Sequence, residues 1–166
     1  MAGLGRWVRH FFMPQWQVRR VFPAAALRSV EDAIRLGEQA HAGQVRFAIE
    51  GALPGRALYR GQTARDRAVD VFSRLRVWDT EHNNGVLVYV LLADRAVEIV
   101  ADRGIHARVG EREWAAICRR MEDAFRQGRF REGAEEGVRE LGRCLAEHFP
   151  AASGQANELP DGPVLL

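Results

Sequence analysis

Lysine is absent from this 166-residue chain; all 24 basic residues are arginine. A lysine nucleophile and a lysine-bearing phosphate loop are thereby excluded, and no glycine-rich phosphate motif is present. Cysteine is scarce. Cys118 and Cys144 fall within helical patterns and lack metal-ligand spacing. They read as free thiols, and a bridge between packed helices stays open because spacing alone does not give the Cα separation. Long apolar runs are also missing. The longest, Val86 to Ala93, falls well short of the roughly 20 residues that cross a bilayer. Charge of one sign does not dominate either: the net charge is +2, so no whole-chain field gathers nucleic acid, and none is expected as a partner.

What is present is the profile of a soluble globular domain, with 47% hydrophobic and 28% charged residues. Residues 1–21 stand apart from the rest. Arg6, Arg9, Arg19 and Arg20 carry charge, no acid precedes Glu31, and Trp7, Val8, Phe11, Phe12, Met13 and Trp16 supply apolar bulk. Pro14, Gln15 and Gln17 interrupt that bulk, which is not the unbroken centre of about 7–15 residues a cleaved secretory signal needs. Two readings remain. The segment lies on an anionic membrane surface or a membrane-protein partner, or Trp7, Phe11 and Trp16 pack on the domain with the arginines outside.

Periodicity predicts the elements that follow. A helix opened by Pro23 spans residues 24–41 and ends before Gly43. A first strand carries Val45, Phe47 and Ile49, a loop spans residues 51–61, and a helix covers residues 64–75. The strand over residues 85–92 is apolar on both faces, so it is expected at the sheet centre, covered on both sides. A turn at Ala93-Asp94-Arg95 leads to a third strand ending at Asp102, and helices follow over residues 111–127 and 130–149. Residues 151–166 read as a flexible tail whose apolar end is suited to dock on a sheet edge or groove. The order implies an α/β fold: a small mixed β-sheet sandwiched between helices (α/β/α), strands one and two parallel, strand three antiparallel. The divisions are a basic aromatic segment (1–21), a domain (22–150) and the tail (151–166).

This topology brings polar residues to one rim of the sheet. His41 and Gln44 enter strand one; Asp79, Glu81, His82, Asn83 and Asn84 enter strand two; Asp102, Arg103 and His106 leave strand three. Asp79, Asn84 and Asp102 are the candidate metal ligands, an oxygen set suited to calcium or magnesium. The candidate catalytic residues are His82, Arg103 and His106, with Arg103 holding a phosphate and a histidine acting as acid beside the bound ion. The plainer alternative is that these residues supply turn geometry.

The run Asn84-Gly85-Val86-Leu87-Val88-Tyr89-Val90, the run Asp94 to Ile105, and the stretch Phe125-Arg126-Gln127-Gly128-Arg129-Phe130-Arg131-Glu132-Gly133 together resemble the TPM domain family. The resemblance covers residues 22–150. It implies an α/β/α sandwich, divalent-ion binding, acid phosphatase activity, and in several members a role in membrane-protein upkeep. Many relatives carry an export signal and an anchor; this chain resembles the short, intracellular bacterial type, which implies a cytoplasmic location, peripheral at the inner membrane face. Members of that type often read Gly-Glu-Ile on entering the first strand, where this chain reads Gly43-Gln44-Val45. The substitution removes one anionic ligand from the rim, while the family's aspartate at the strand-three exit is kept as Asp102. The function expected is therefore a TPM-like binding module, divalent-ion-binding and membrane-peripheral. The alternative is a divalent-metal-dependent phosphatase-like hydrolase of phosphate esters.

Overall fold

Four strands, β1 (Gln44–Glu50), β2 (Gly85–Leu91), β3 (Ala96–Ala101) and β4 (Val164–Leu165), form one mixed sheet in the order β3-β2-β1-β4. The computed structural model describes residues 3–166, so residues 1 and 2 of the N-terminal segment lie outside it. Strands β1 and β2 run parallel from Gln44↔Gly85 to Glu50↔Leu91, and β3 returns antiparallel to β2 from Leu91↔Ala96 to Val86↔Ala101. Both relationships agree with the expectation from the sequence.

The helices are α1 (Leu4–Phe11), α2 (Gln15–Val21), α3 (Ala24–Glu38), α4 (Gly55–Tyr59), α5 (Ala64–Arg74), α6 (Arg103–Val109), α7 (Glu111–Arg126) and α8 (Phe130–His148). The period of two along each strand sends alternate side chains to opposite cores. Val45, Phe47, Ile49, Val86, Val88 and Val90 face α3, α7 and α8. Ala48, Leu87, Tyr89 and Leu91 face Ala68 and Val71 of α5. Every residue of β2 is buried, the consequence of an apolar run with layers on both sides. Helices α7 and α8 approach closely where Gly133 sits: a Cβ there would lie 2.7 Å from that of Ala124. Phe22, Phe125 and Phe130 cluster beside them, with centroids 5.3–6.2 Å apart.

Four expectations are corrected. The 51–61 loop contains α4, begun by Pro54 at its N-cap. The chain after β3, where no helix was expected before residue 111, forms one at once because Asp102 caps α6 through its side chain. The tail is not flexible at its end, which docks on a sheet edge as its apolar character allowed: β4 pairs in parallel with Ala48 and Ile49 of β1, whose outer edge would otherwise bare its backbone groups. Arg46 holds the approach to β4 by donating from Nη1 to the carbonyls of Pro160 (2.7 Å) and Gly162 (2.9 Å). Lastly, the reading in which Trp7, Phe11 and Trp16 pack inward holds for Trp7, which packs against the α5-side core, and is reversed for Phe11 and Trp16. Both are exposed, while Val18 enters the core and His10 is buried.

At the other edge, two backbone groups of β3 are bonded to side chains. Val97 N donates to Glu122 Oε1 at 3.0 Å, and Arg65 Nη1 donates to the Ile99 carbonyl at 2.6 Å.

Candidate functional site

The rim is built from the backbone outward. Gln44 N donates to the Asn84 carbonyl at 2.9 Å, and Asp102 N donates to the Gly85 carbonyl at 2.8 Å. The start of β1, the start of β2 and the end of β3 are thus laced together, with Asn84 and Asp102 on adjoining strand ends.

Asn84 is 4% exposed. Its backbone N donates to Thr80 Oγ1 at 3.1 Å and its Nδ2 to the Ala42 carbonyl at 2.5 Å, which orients the amide and leaves Oδ1 buried without a partner. Asp102 spends one oxygen on the helix: Oδ1 accepts from Arg103 N at 2.7 Å. Its Oδ2 is buried and also unpartnered. Two acceptors of this kind on adjoining strand ends need explaining, since buried polar atoms are normally bonded. The backbone nearby is drawn tight as well. Asn83 has φ 49°, and a Cβ on Gly104 would lie 2.9 Å from the Asn83 carbonyl oxygen and 3.7 Å from that of His82. Only glycine fits the cradle those two carbonyls make.

A cleft of about 560 Å³ opens at this rim, lined among others by His82, Asn84, Arg108, Phe149, Gln155 and Glu158. The Arg108 guanidinium lies 4.9 Å over the Phe149 ring. The tail supplies one wall: Gln44 Oε1 accepts from Glu158 N (2.7 Å) and Leu159 N (3.1 Å), and Glu158 Oε2 accepts from Glu81 N (2.9 Å). Gln44 therefore fastens the tail, its oxygen occupied by two amides.

The other residues singled out in the sequence lie elsewhere. Asp79 is exposed in the turn before β2 and Arg103 is exposed at the first turn of α6; neither lines the cleft, and Asp102, at the end of β3, does not line it either. His106, on α6, borders a different groove of about 540 Å³, between β3 and α7, with Trp114 and Cys118. His41 is 2% exposed, and burial pushes its pKa down to about 4, leaving it neutral. Cys118 and Cys144 are free; burial raises their thiols to about 12 and about 11, so neither is a nucleophile at neutral pH.

Sequence reasoning missed Arg108, Phe149 and Glu158. The capping residue Asp102 was a signal for α6 and so for Arg108 one helix length on. Nothing local announces Phe149 or Glu158, which arrive by tertiary packing.

Among the described residues, no three side chains of His, Cys, Asp and Glu gather as metal ligands. A cation at the rim would be met by one carboxylate oxygen, one amide oxygen and main-chain carbonyls, a set that fits calcium or magnesium and not zinc.

The family model described as the TPM domain matches residues 18–144. Among solved structures, the chain is similar to the BA42 protein of the psychrophilic bacterium Bizionia argentinensis, determined by NMR. The two share 31% sequence identity with a TM-score of 0.76, over 86% of this chain and 94% of that one. None of the curated proteins matches.

Proposed function

The chain belongs to the TPM domain family, and from that premise we propose that it acts as a cation-dependent binding module whose rim takes a hard divalent ion, calcium or magnesium. The observation that carries this reading is the pair of buried, unpartnered oxygens, Asn84 Oδ1 and Asp102 Oδ2, at adjoining ends of β2 and β3. Each is buried and accepts no hydrogen bond from the described residues, an arrangement that costs free energy unless another group satisfies it. An ion with oxygen preference seated between the two strand ends would satisfy both. The carbonyls of His82 and Asn83, drawn together over Gly104, add ligands of the same class. With a single carboxylate in the set, affinity is modest, in the range of about 10⁻⁴–10⁻³ M seen for weakly charged oxygen sites.

Isothermal titration of chelator-treated protein with calcium, magnesium, manganese and zinc tests it. The wild type is expected to bind calcium or magnesium with one-site stoichiometry, and Asp102→Asn, which keeps a residue able to cap α6, to lose binding by at least about tenfold. Equal heats from wild type and variant would sink the proposal.

Arg108 favours a second reading, hydrolysis of phosphate esters. Its guanidinium, stacked on Phe149 at the cleft, is placed to hold a phosphate group beside a bound ion. On this reading the metal-loaded protein turns over p-nitrophenyl phosphate, and Arg108→Ala slows it at least tenfold while Arg103→Ala does not. A rate equal to the no-protein background removes the hydrolase and leaves the binding module.

A further inference from the structure

Helix α1 is amphipathic in the inverted sense. Its inner face joins one aromatic, Trp7, packed against the α5-side core, to polar anchors: Arg6 Nε donates to Asp94 Oδ2 at 2.9 Å and Arg6 Nη2 to the Gln62 carbonyl at 2.9 Å. His10, buried, accepts at Nδ1 from Leu53 N at 3.0 Å, so its Nε2–H is the donor to Asp94 Oδ1 at 3.0 Å. These bonds fix the rotation of the helix. They leave Leu4, Val8 and Phe11, spaced i, i+4, i+7, as one stripe on the solvent side. Leu4 is 82% exposed, Val8 49% and Phe11 83%; Phe12 at 66% and Trp16 at 59%, at the turn into α2, extend the patch. A helix packed only for stability would turn that stripe inward. The polar side is the one that is anchored.

The surroundings are cationic. Arg9, Arg19 and Arg20 are exposed around the patch, Arg9 while donating from Nε to the Ala93 carbonyl at 3.1 Å and pairing with Asp94 at 3.5 Å, and no Asp or Glu occurs before Glu31. Between α1 and the β2–β3 turn lies a cleft of about 620 Å³ lined by Val8, Arg9, Phe12 and Met13 and by Asp94, Arg95 and Arg126. Arg126 also pairs with Asp123 and Glu122 of α7; Arg95 is exposed at the turn. Apolar and aromatic side chains beside guanidinium groups match the layered chemistry of a bilayer surface, acyl chains beneath anionic phosphates. Helix α1 precedes the stretch that matches the family, residues 18–144.

We propose that the outward face of α1, with Phe12 and Trp16, docks this protein on an anionic phospholipid membrane, the apolar stripe entering the interface and Arg9, Arg19, Arg20 and Arg95 meeting lipid phosphates. The surface is separate from the rim and needs no divalent ion.

Co-sedimentation of the full chain with vesicles tests this, in EDTA so that the cation proposal has no bearing on the result. Vesicles are phosphatidylcholine alone or phosphatidylcholine with phosphatidylglycerol. The wild type is expected to partition at least about tenfold more strongly onto the anionic vesicles, and less as salt rises from 0.05 to 0.5 M. Phe11→Glu/Trp16→Glu, at two exposed positions, should lower that partition at least about tenfold with an unchanged far-ultraviolet circular dichroism spectrum. Arg19→Glu/Arg20→Glu should abolish the preference for anionic lipid. Equal partition of wild type and Phe11→Glu/Trp16→Glu overturns the proposal, as does absence of partition. A dimer in sedimentation equilibrium that Phe11→Glu/Trp16→Glu dissociates, without vesicle binding, also overturns it and gives the patch to a second copy of the chain.

Discussion

Arg67 shows how far one side chain can govern stability. It reaches from α5 into the layer beneath β1 and forms a bidentate pair with Glu50, at 2.8 and 2.7 Å, while Tyr89 Oη donates to the same carboxylate at 2.6 Å. Glu50 is 4% exposed and Arg67 9%. Burial first, and then the adjacent carboxylate, pushes the Tyr89 phenol up, so it stays a donor across the working pH range. Arg67→Met strands a buried carboxylate, and urea denaturation should show a loss of about 3–5 kcal/mol. The double variant Arg67→Met/Glu50→Leu should recover most of that loss, since an apolar pair of similar size carries no desolvation cost beyond the one unbonded tyrosine hydroxyl. None of this was legible beforehand. Glu50 reads as the polar end of an alternating strand and Arg67 as a solvated helix residue, because their meeting depends on a crossover that sequence does not measure. Asn84 and Asp102 were legible, since strand pairing alone brings their ends together. Asp79, which enters the same loop earlier, sits in a turn that carries it away from the cleft.

Among the elements, those with a clear period were read correctly: β1, β2, β3, α3, α5, α7 and α8 fall within a few residues of expectation. Two of the elements missed, α4 and β4, fold for tertiary reasons, whereas α6 carried a local signal in its capping Asp102. Helix α4 is five residues long, below the length at which a helical period shows. Strand β4 is two residues and exists because β1 presents an open edge. What holds the tail is Gln44, whose oxygen takes the amides of Glu158 and Leu159. Gln44→Ala removes that acceptor. Hydrogen exchange at Glu158 and Leu159 should speed up at least about tenfold, one lost buried bond being worth about 1 kcal/mol or more, while the β1–β2 amides keep their protection. Unaltered exchange at both positions would mean that β4 alone secures the tail.

At the scale of the whole molecule, a buried histidine and a half-buried glutamate pull the pH optimum from opposite sides. His41 is held at about 4 against an ordinary 6.5 by burial. The unfolded chain binds the extra proton between those values, so stability is full above 6.5 and declines as pH falls toward 4. Glu38 is raised from 4.5 to about 7, chiefly by burial and further by nearby Asp161, against the opposing hydrogen bond from Val45 N. Here the folded state binds the extra proton, so its contribution is full below 4.5 and declines as pH rises through 7. Glu38→Gln mimics the protonated side chain. It should raise Tm by roughly 2–4 °C at pH 8 and leave it unchanged at pH 4.5, read by calorimetry; a drop at pH 8 would show that the carboxylate is needed as such. The edge of the sheet has its own molecular consequence. Where Glu122 occupies the Val97 amide and Arg65 the Ile99 carbonyl, an incoming strand finds donor and acceptor already engaged. Fibril growth by addition at β3 must first break two side-chain bonds that shield the template, which makes this face of the molecule a poor seed for amyloid at high concentration.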